Sequence, residues 1–345
     1  MIKPWIFEFV HAAGEPDDII DPAFTAQTYA DCFDVWRRAE EQGFEGVFFS
    51  EHHFQLSYSS SPTLIMAALA RETKRLRIGI MGIVLPFYEP WHVVEEMFTL
   101  DHLSGGRLDI GYCLGVPQEL ARVGIDAASV RERYEEALEF VDLAMREPVF
   151  SFHGKYWNVV NLSIVPRPFQ QPLPPLWTPV LSDGSAQKAA QRRSKISTGF
   201  ESIGRVSALF DVYRAEADRV DFAVTADDLA IRRNISIART VEEAQEAVAI
   251  AKGVSAKLMA GDTRVTRTDS AALDAPKGGT GFTLHADEYI AGTPSQVAEA
   301  IVEQCRACGA GHFLGTLGRG MGPRRKDAVA LFGDEVVPLL RRALN

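Results

Sequence analysis

Gly43-Phe44-Glu45-Gly46-Val47-Phe48-Phe49-Ser50-Glu51-His52-His53-Phe54 is the stretch that decides how the rest of the chain is read. Its short apolar run is of the kind seen in parallel strands buried on both faces. The run ends abruptly in Glu51-His52-His53. Ionisable groups at the end of a buried strand carry a desolvation penalty, so they are expected to be paired or functional. An α/β barrel collects its working groups at this C-terminal end of its strands. Side chains alternate along extended chain, so His52 and His53 point to opposite sides and only one can face a barrel mouth. A zinc pair would instead need a spacing that puts both on one side, and no metal is expected.

Working outward from residues 46–51, further β-rich runs lie at 6–10, 77–85, 107–114, 176–181, 195–200, 230–238 and 311–317. Helical stretches alternate with them at 25–42, 62–73, 90–103, 129–146, 185–193, 241–252, 295–308 and 324–344. Gly43 follows the first as a C-terminal cap, and Ser61-Pro62 and Thr293-Pro294 open two others as cap plus N1 proline. This alternation predicts an α/β fold, a (β/α)8 TIM barrel forming a single domain over residues 1–345. A doubly wound sheet is the rival, but no glycine-rich dinucleotide loop follows the first strand. Two segments exceed ordinary connections. Residues 148–175, rich in proline and aromatics, read as an ordered insertion after the fourth βα unit. Residues 253–287, with Gly261, Gly278-Gly279 and Gly281, leave the seventh strand and read as a mobile lid loop.

The 345 residues are 46% apolar and 24% charged, ordinary for a soluble globular protein. A net charge of −10 argues against nucleic acid or an anionic membrane as partner. No apolar run approaches the roughly 18 residues of a membrane span. The first residues lack a signal peptide's long apolar region. Cys32, Cys113, Cys305 and Cys308 are too few for a disulfide scaffold, and a reducing cytoplasm is expected. Cys305-x-x-Cys308 has no second pair and reads as two small residues of a helix.

Three further segments carry candidate chemistry. Ile78-Gly79-Ile80-Met81-Gly82-Ile83-Val84-Leu85-Pro86 holds two glycines inside a strand, which marks either a ligand's close approach or a bend for barrel closure. Cys113 ends the next strand, where a thiol either lines a pocket or is buried and inert. Pro179-Val180-Leu181-Ser182-Asp183-Gly184-Ser185 leads from a strand into a helix. Its free N–H groups suit a phosphate, although an ordinary cap looks similar.

Taken in order, these segments resemble the bacterial luciferase-like flavin-dependent monooxygenase family. The resemblance rests on Gly43-Phe44, Glu51-His52-His53-Phe54, Ile78-Gly79 through Leu85-Pro86, Pro90, Glu95-Glu96, Leu100-Asp101, Ser104-Gly105-Gly106-Arg107, Gly111-Tyr112-Cys113, Pro166-Arg167-Pro168 and Ala291-Gly292-Thr293-Pro294. It implies a two-component oxygenase. A separate flavin reductase supplies reduced FMN, and O2 forms a C4a-(hydro)peroxyflavin that oxygenates a small or medium organic substrate.

By position, His52 matches the family's catalytic histidine and Cys113 the thiol beside the flavin ring. The Met81–Gly82 bond matches a non-prolyl cis peptide that packs on the ring. Glu51 belongs to the same cofactor-binding set. Ser182, Gly184 and Ser185 match the phosphate end, as does Arg131, with Arg133 its competitor. The chain departs from luciferase at Leu114, where an arginine is expected, and at Leu181, where an acidic residue is. FMN affinity is therefore expected to be weak unless Arg131 or Arg133 compensates, and light emission from a long-chain aldehyde is not expected. An F420-dependent oxidoreductase on the same barrel, or a non-catalytic flavin-binding homologue, are the alternatives. Retention of Glu51, His52 and Cys113 argues against the last. The resemblance also implies a homodimer through helices 61–73 and 90–103, where Ala67, Ala68 and Ala70 would permit close approach.

Overall fold

The computed structural model describes residues 1–11, 14, 17–54, 56–259 and 284–343. In chain order the elements are β1 (Lys3–Glu8), α1 (Pro22–Gln42), β2 (Gly46–Phe49), α2 (Pro62–Glu72), β3 (Arg77–Val84), α3 (Pro90–Ser104), β4 (Leu108–Cys113), α4 (Pro117–Arg122) and α5 (Val130–Arg146). There follow β5 (Val149–His153), β6 (Asn158–Ser163), β7 (Leu176–Pro179), α6 (Asp183–Gln191), β8 (Lys195–Thr198), α7 (Ile203–Arg219), β9 (Leu229–Ile237) and α8 (Val241–Met259). The chain closes with β10 (Tyr289–Gly292), α9 (Pro294–Cys308), β11 (His312–Leu317), α10 (Arg325–Leu331) and α11 (Val337–Arg342).

Eight parallel strands close into a barrel in the order β1, β2, β3, β4, β7, β8, β9, β11 and back to β1. Strand alternation sorts the side chains. Trp5, Phe7, Phe48, Met81, Trp177, Ala230 and Leu314 form one cluster inside the barrel. Ile6, Val10, Val47 and Phe49 belong to the larger core between strands and helices. The polar edges of the interior tryptophans are satisfied, Trp5 Nε1 donating to His312 Nδ1 at 2.8 Å and Trp177 Nε1 to Asp109 Oδ1 at 2.9 Å. Gly79 leaves room for Phe48, since a β-carbon there would lie 2.3 Å from that ring. Gly82 is confined by β4 backbone, 2.9 Å from the site of its missing β-carbon. The β3–β4 register shifts between Ile80 and Ile83.

The structure corrects the sequence reading in several places. β10 is a ninth strand, paired with the second half of β9 from Tyr289↔Asn234 to Gly292↔Ile237. It follows residues assigned to the lid. Of those, His285 N–H donates to the Phe200 carbonyl and Asp287 accepts from Ile203 N–H, so this end is tied to the barrel rim. α8 continues to Met259, so the segment assigned to the lid begins in helix. Residues 260–283, with Lys277, lie outside the described residues. α7 was not anticipated, although Val206, Leu209, Phe210, Tyr213 and Ala217 repeat at helical spacing behind the capping Ser202. The helix expected over 324–344 is interrupted by a π-helical turn at Phe332–Val336.

Residues 148–175 contain the antiparallel hairpin of β5 and β6. Its turn is capped by Glu136 of α5, which accepts from Lys155, Tyr156 and Trp157 N–H groups. Gly43 and Gly105 close α1 and α3 in the left-handed region, at φ 81° and 66°. Ser61 stands before Pro62 as expected, but its side chain makes no capping bond. No helix among the described residues is long and apolar enough to cross a membrane.

Candidate active site at the barrel mouth

The alternation that places Phe48 inside the barrel carries on past β2 and separates the three ionisable residues that follow. His52 turns to the mouth. Its Nδ1 lies 3.0 Å from Glu119 Oε1 on α4, and its ring lies nearly parallel to Phe9, 5.6 Å away. The imidazole is 23% exposed and the Glu119 side chain 2%. With a carboxylate on Nδ1, that nitrogen holds the proton in neutral imidazole and Nε2 is left as the working atom. Nε2 bonds to no described residue.

Glu51 and His53 take the other side. Glu51 Oε1 accepts from His53 Nε2 at 2.7 Å and from the Tyr88 hydroxyl at 2.8 Å, and Oε2 accepts from Val84 N–H at 3.0 Å. The carboxylate thus fastens the end of β3. Burial disfavours the His53 charge, but the hydrogen bond and charge of Glu51 outweigh it and hold His53 above the usual imidazole range.

On the neighbouring strands the Met81–Gly82 peptide is cis, where the resemblance places such a bond. Cys113 Sγ donates to the Gly82 carbonyl at 3.2 Å. Burial, with Glu51 nearby, pushes this thiol up to about 12, so it is neutral and no nucleophile. At the end of β7, Ser182 caps α6 and accepts from Ser185 N–H. Ser185 Oγ is occupied by the Ser182 carbonyl and the Leu181 and Ser182 N–H groups. Gly184 faces open space. Arg131, in the first turn of α5, is exposed. Arg133 is drawn to the hairpin, 4.6 Å over Trp157 and 3.9 Å from Glu89. Of the aromatics near the mouth, Tyr88 serves Glu51, Tyr58 donates to the Ile19 carbonyl and Trp157 to Glu89, while Phe54 is exposed.

A family model described as luciferase-like monooxygenase matches residues 7–312. The chain belongs to the luciferase-like monooxygenase family.

Among luciferase-like relatives, the uncharacterized protein y4wF of Sinorhizobium fredii is 34% identical over 223 residues, 64% of this chain and 65% of that protein. The oxygenase component of a flavin-dependent trigonelline monooxygenase from Acinetobacter baylyi is 26% identical over 69% of this chain and 66% of its own. An FMNH2-dependent dimethylsulfone monooxygenase from Pseudomonas putida is 26% identical over 88% of this chain and 85% of its own. The chain therefore spans just under two thirds of the first two relatives. Among solved structures, monooxygenase RslO1 from Streptomyces bottropensis superposes with a TM-score of 0.82 at 23% identity, covering 98% of this chain and 99% of that one.

Within this luciferase-like barrel, His52, Met81–Gly82 and Cys113 lie on or just past three successive strands, and the Ser182–Ser185 turn follows the fifth in barrel order. Sequence reading missed Glu119, which orients His52 from 67 positions away. It also missed Arg205 of α7, paired at 2.8 Å with Asp183 in the first turn of α6. Phe9 and His11 carried a readable signal, because Trp5, Phe7, Phe9 and His11 put an aromatic ring at every second position.

Proposed function

We propose that this chain is the oxygenase component of a two-component flavin monooxygenase. It takes reduced FMN from a separate flavin reductase and uses O2 to oxygenate a small or medium organic substrate in the cytoplasm. The observation that carries this reading is His52, held by Glu119 at the barrel mouth with Nε2 unpartnered among the described residues. The 88% span of an FMNH2-dependent relative supports the choice of cofactor.

The residues present fit that cofactor. Met81, Gly82 and Cys113 make a wall of strand backbone on which a flat ring can lie, and Gly184 leaves space before the α6 N-terminus for a phosphate. Asp183 in that first turn would repel the phosphate, and Arg205, paired to it, offsets the charge. Arg205 and exposed Arg131 are thus the cations for a site that lacks the arginine luciferase has at Leu114. Bound reduced FMN supplies the electrons that activate O2. His52 Nε2 holds or delivers a proton to the reacting oxygen, and Glu119 fixes the tautomer that makes this possible. The Cys113 thiol positions the Gly82 carbonyl. A homodimer would use α2 and α3, which expose Leu64 and Trp91.

The reading is tested by mixing the chain with reduced FMN anaerobically and following reoxidation on addition of oxygenated buffer. The protein should change the time course from that of free FMN, and His52→Ala should change it again while anaerobic affinity for reduced FMN stays within about threefold. A trace indistinguishable from free flavin would rule the reading out.

A further inference from the structure

β11, β1 and β2 are consecutive around the barrel. Past their C-terminal ends stand Arg319, then Phe9 and His11, then His52. The four side chains meet. The Arg319 guanidinium carbon is 4.5 Å from the Phe9 ring centroid. The rings of His11 and His52 lie 5.2 and 5.6 Å from Phe9 and nearly parallel to it. Arg319 is presented by a tight turn in which Gly318 and Gly320 take φ of 64° and 76°, a region that suits glycine.

Arg319 differs from the other buried or half-buried arginines near it. Arg232 donates to Glu288 and Thr316, Arg233 to Glu288 and Gln304, and Arg325 to Glu8. Arg319 is 7% exposed, its Nε has no hydrogen-bond partner, and it makes no ion pair among the described residues. His11 Nε2, on the same ring stack, is likewise buried and unpartnered. A cation out of water with no direct ion pair is unfavourable, and cation–π contact with Phe9 and the more distant charges of Glu288 and Glu8 offset only part of the loss. Burial and the charge of Arg232 lower Arg319 to about 9, which leaves it charged at neutral pH. The α6 end of the mouth belongs to β7, which β8 and β9 separate from β11, so this corner is distinct from the phosphate end proposed above.

We propose that Arg319 is the recognition group for a carboxylate carried by the organic substrate, which docks over Phe9 beside His52. The inference rests on the mouth being an oxygenase site. A guanidinium offers parallel N–H donors that match a carboxylate, and the flat apolar face of Phe9 suits a planar acid. The group to be oxygenated would then be set against His52 by an anchor at its charged end.

The flavin-free chain is titrated with benzoate and, as its neutral counterpart, with benzamide. Calorimetry gives the affinities, and the Arg319 Nε–H signal of arginine-15N-labelled protein reports the site, assigned by its loss in Arg319→Lys. Reduced FMN binding is measured in parallel. Benzoate should bind, move the Arg319 signal, and lose at least tenfold in affinity in Arg319→Gln and less in Arg319→Lys, which keeps the charge and checks folding. Benzamide should bind wild type and Arg319→Gln alike. The proposal is overturned if benzoate does not bind, if it leaves the Arg319 signal unmoved, or if Arg319→Gln binds it as tightly as wild type. It is also overturned if Arg319→Gln weakens reduced FMN and not benzoate, which would make Arg319 a flavin contact. Wild-type protein that holds benzoate as expected but fails to bind reduced FMN would sink the oxygenase reading separately.

Discussion

Replacing Glu51 with glutamine removes the charge that fastens the end of β3. In the wild type, three donors converge on a side chain that is 1% exposed. Glutamine keeps one acceptor oxygen. Whichever way its amide is turned, the NH2 group meets either Val84 N–H or the His53–Tyr88 pair. At least one hydrogen bond to a charged group is lost, at roughly 1.5–3 kcal/mol, and a donor is left facing a donor. We expect destabilisation of about 2–4 kcal/mol at pH 5.5, overlapping the lower part of the range of roughly 3–5 kcal/mol for breaking a buried pair. The pH dependence has a definite sign. His53 is raised in the folded state, so its contribution is complete below the unfolded value of about 6.5 and is lost as pH rises through the folded value. The destabilisation should therefore be smaller at pH 8.5, where neutral His53 still donates from Nε2 but its charge no longer adds to the bond. Urea unfolding of both proteins at the two pH values measures it, and an NMR titration should show the His53 midpoint falling in the variant. An equal or larger effect at pH 8.5, or an unmoved midpoint, would refute the reasoning.

Two other predictions concern the interior. All four cysteine thiols are raised by burial, Cys32 and Cys113 to about 12, so these two expose on the order of 10³ less thiolate than a free cysteine. Native protein at pH 8 should therefore react slowly with a disulfide reagent and release four equivalents only after denaturation, and one fast-reacting thiol would contradict the assigned burial. Gly79→Ala should destabilise by about 1–3 kcal/mol through the 2.3 Å contact with Phe48. Phe48→Leu in the same chain should recover part of that loss in urea unfolding, and strict additivity of the two changes would show that the ring is not the obstacle.

The barrel was legible because strand burial and helix capping are local signals. So was the opposition of His52 and His53, since parity along extended chain needs no knowledge of what surrounds it. Partnerships across the chain were not legible. Glu119 sits in a six-residue helix with nothing nearby to mark it as a histidine's partner, and only closure of the barrel brings it to His52. Arg319 reads as one arginine among many until the other buried arginines are seen to have partners and it is not. β10 was hidden for a different reason. Four residues long, it follows a glycine-rich stretch whose composition speaks for loop, and its place is set by pairing with β9.

The strand-end sequence Glu51-His52-His53 shows how one parity rule divides labour within three residues. The inward residue meets the mouth, where an unpartnered nitrogen is useful. Its two neighbours meet each other, Tyr88 and the β3 backbone, where an unpartnered group would only destabilise. That pair thereby fixes Val84 and the strand that carries Met81 and Gly82, the wall beside His52. Support and chemistry are thus coupled through the backbone of β3 without sharing a side chain. This arrangement predicts that loss of Glu51 disturbs flavin binding through the wall, whereas loss of His52 leaves the wall intact and alters only proton transfer.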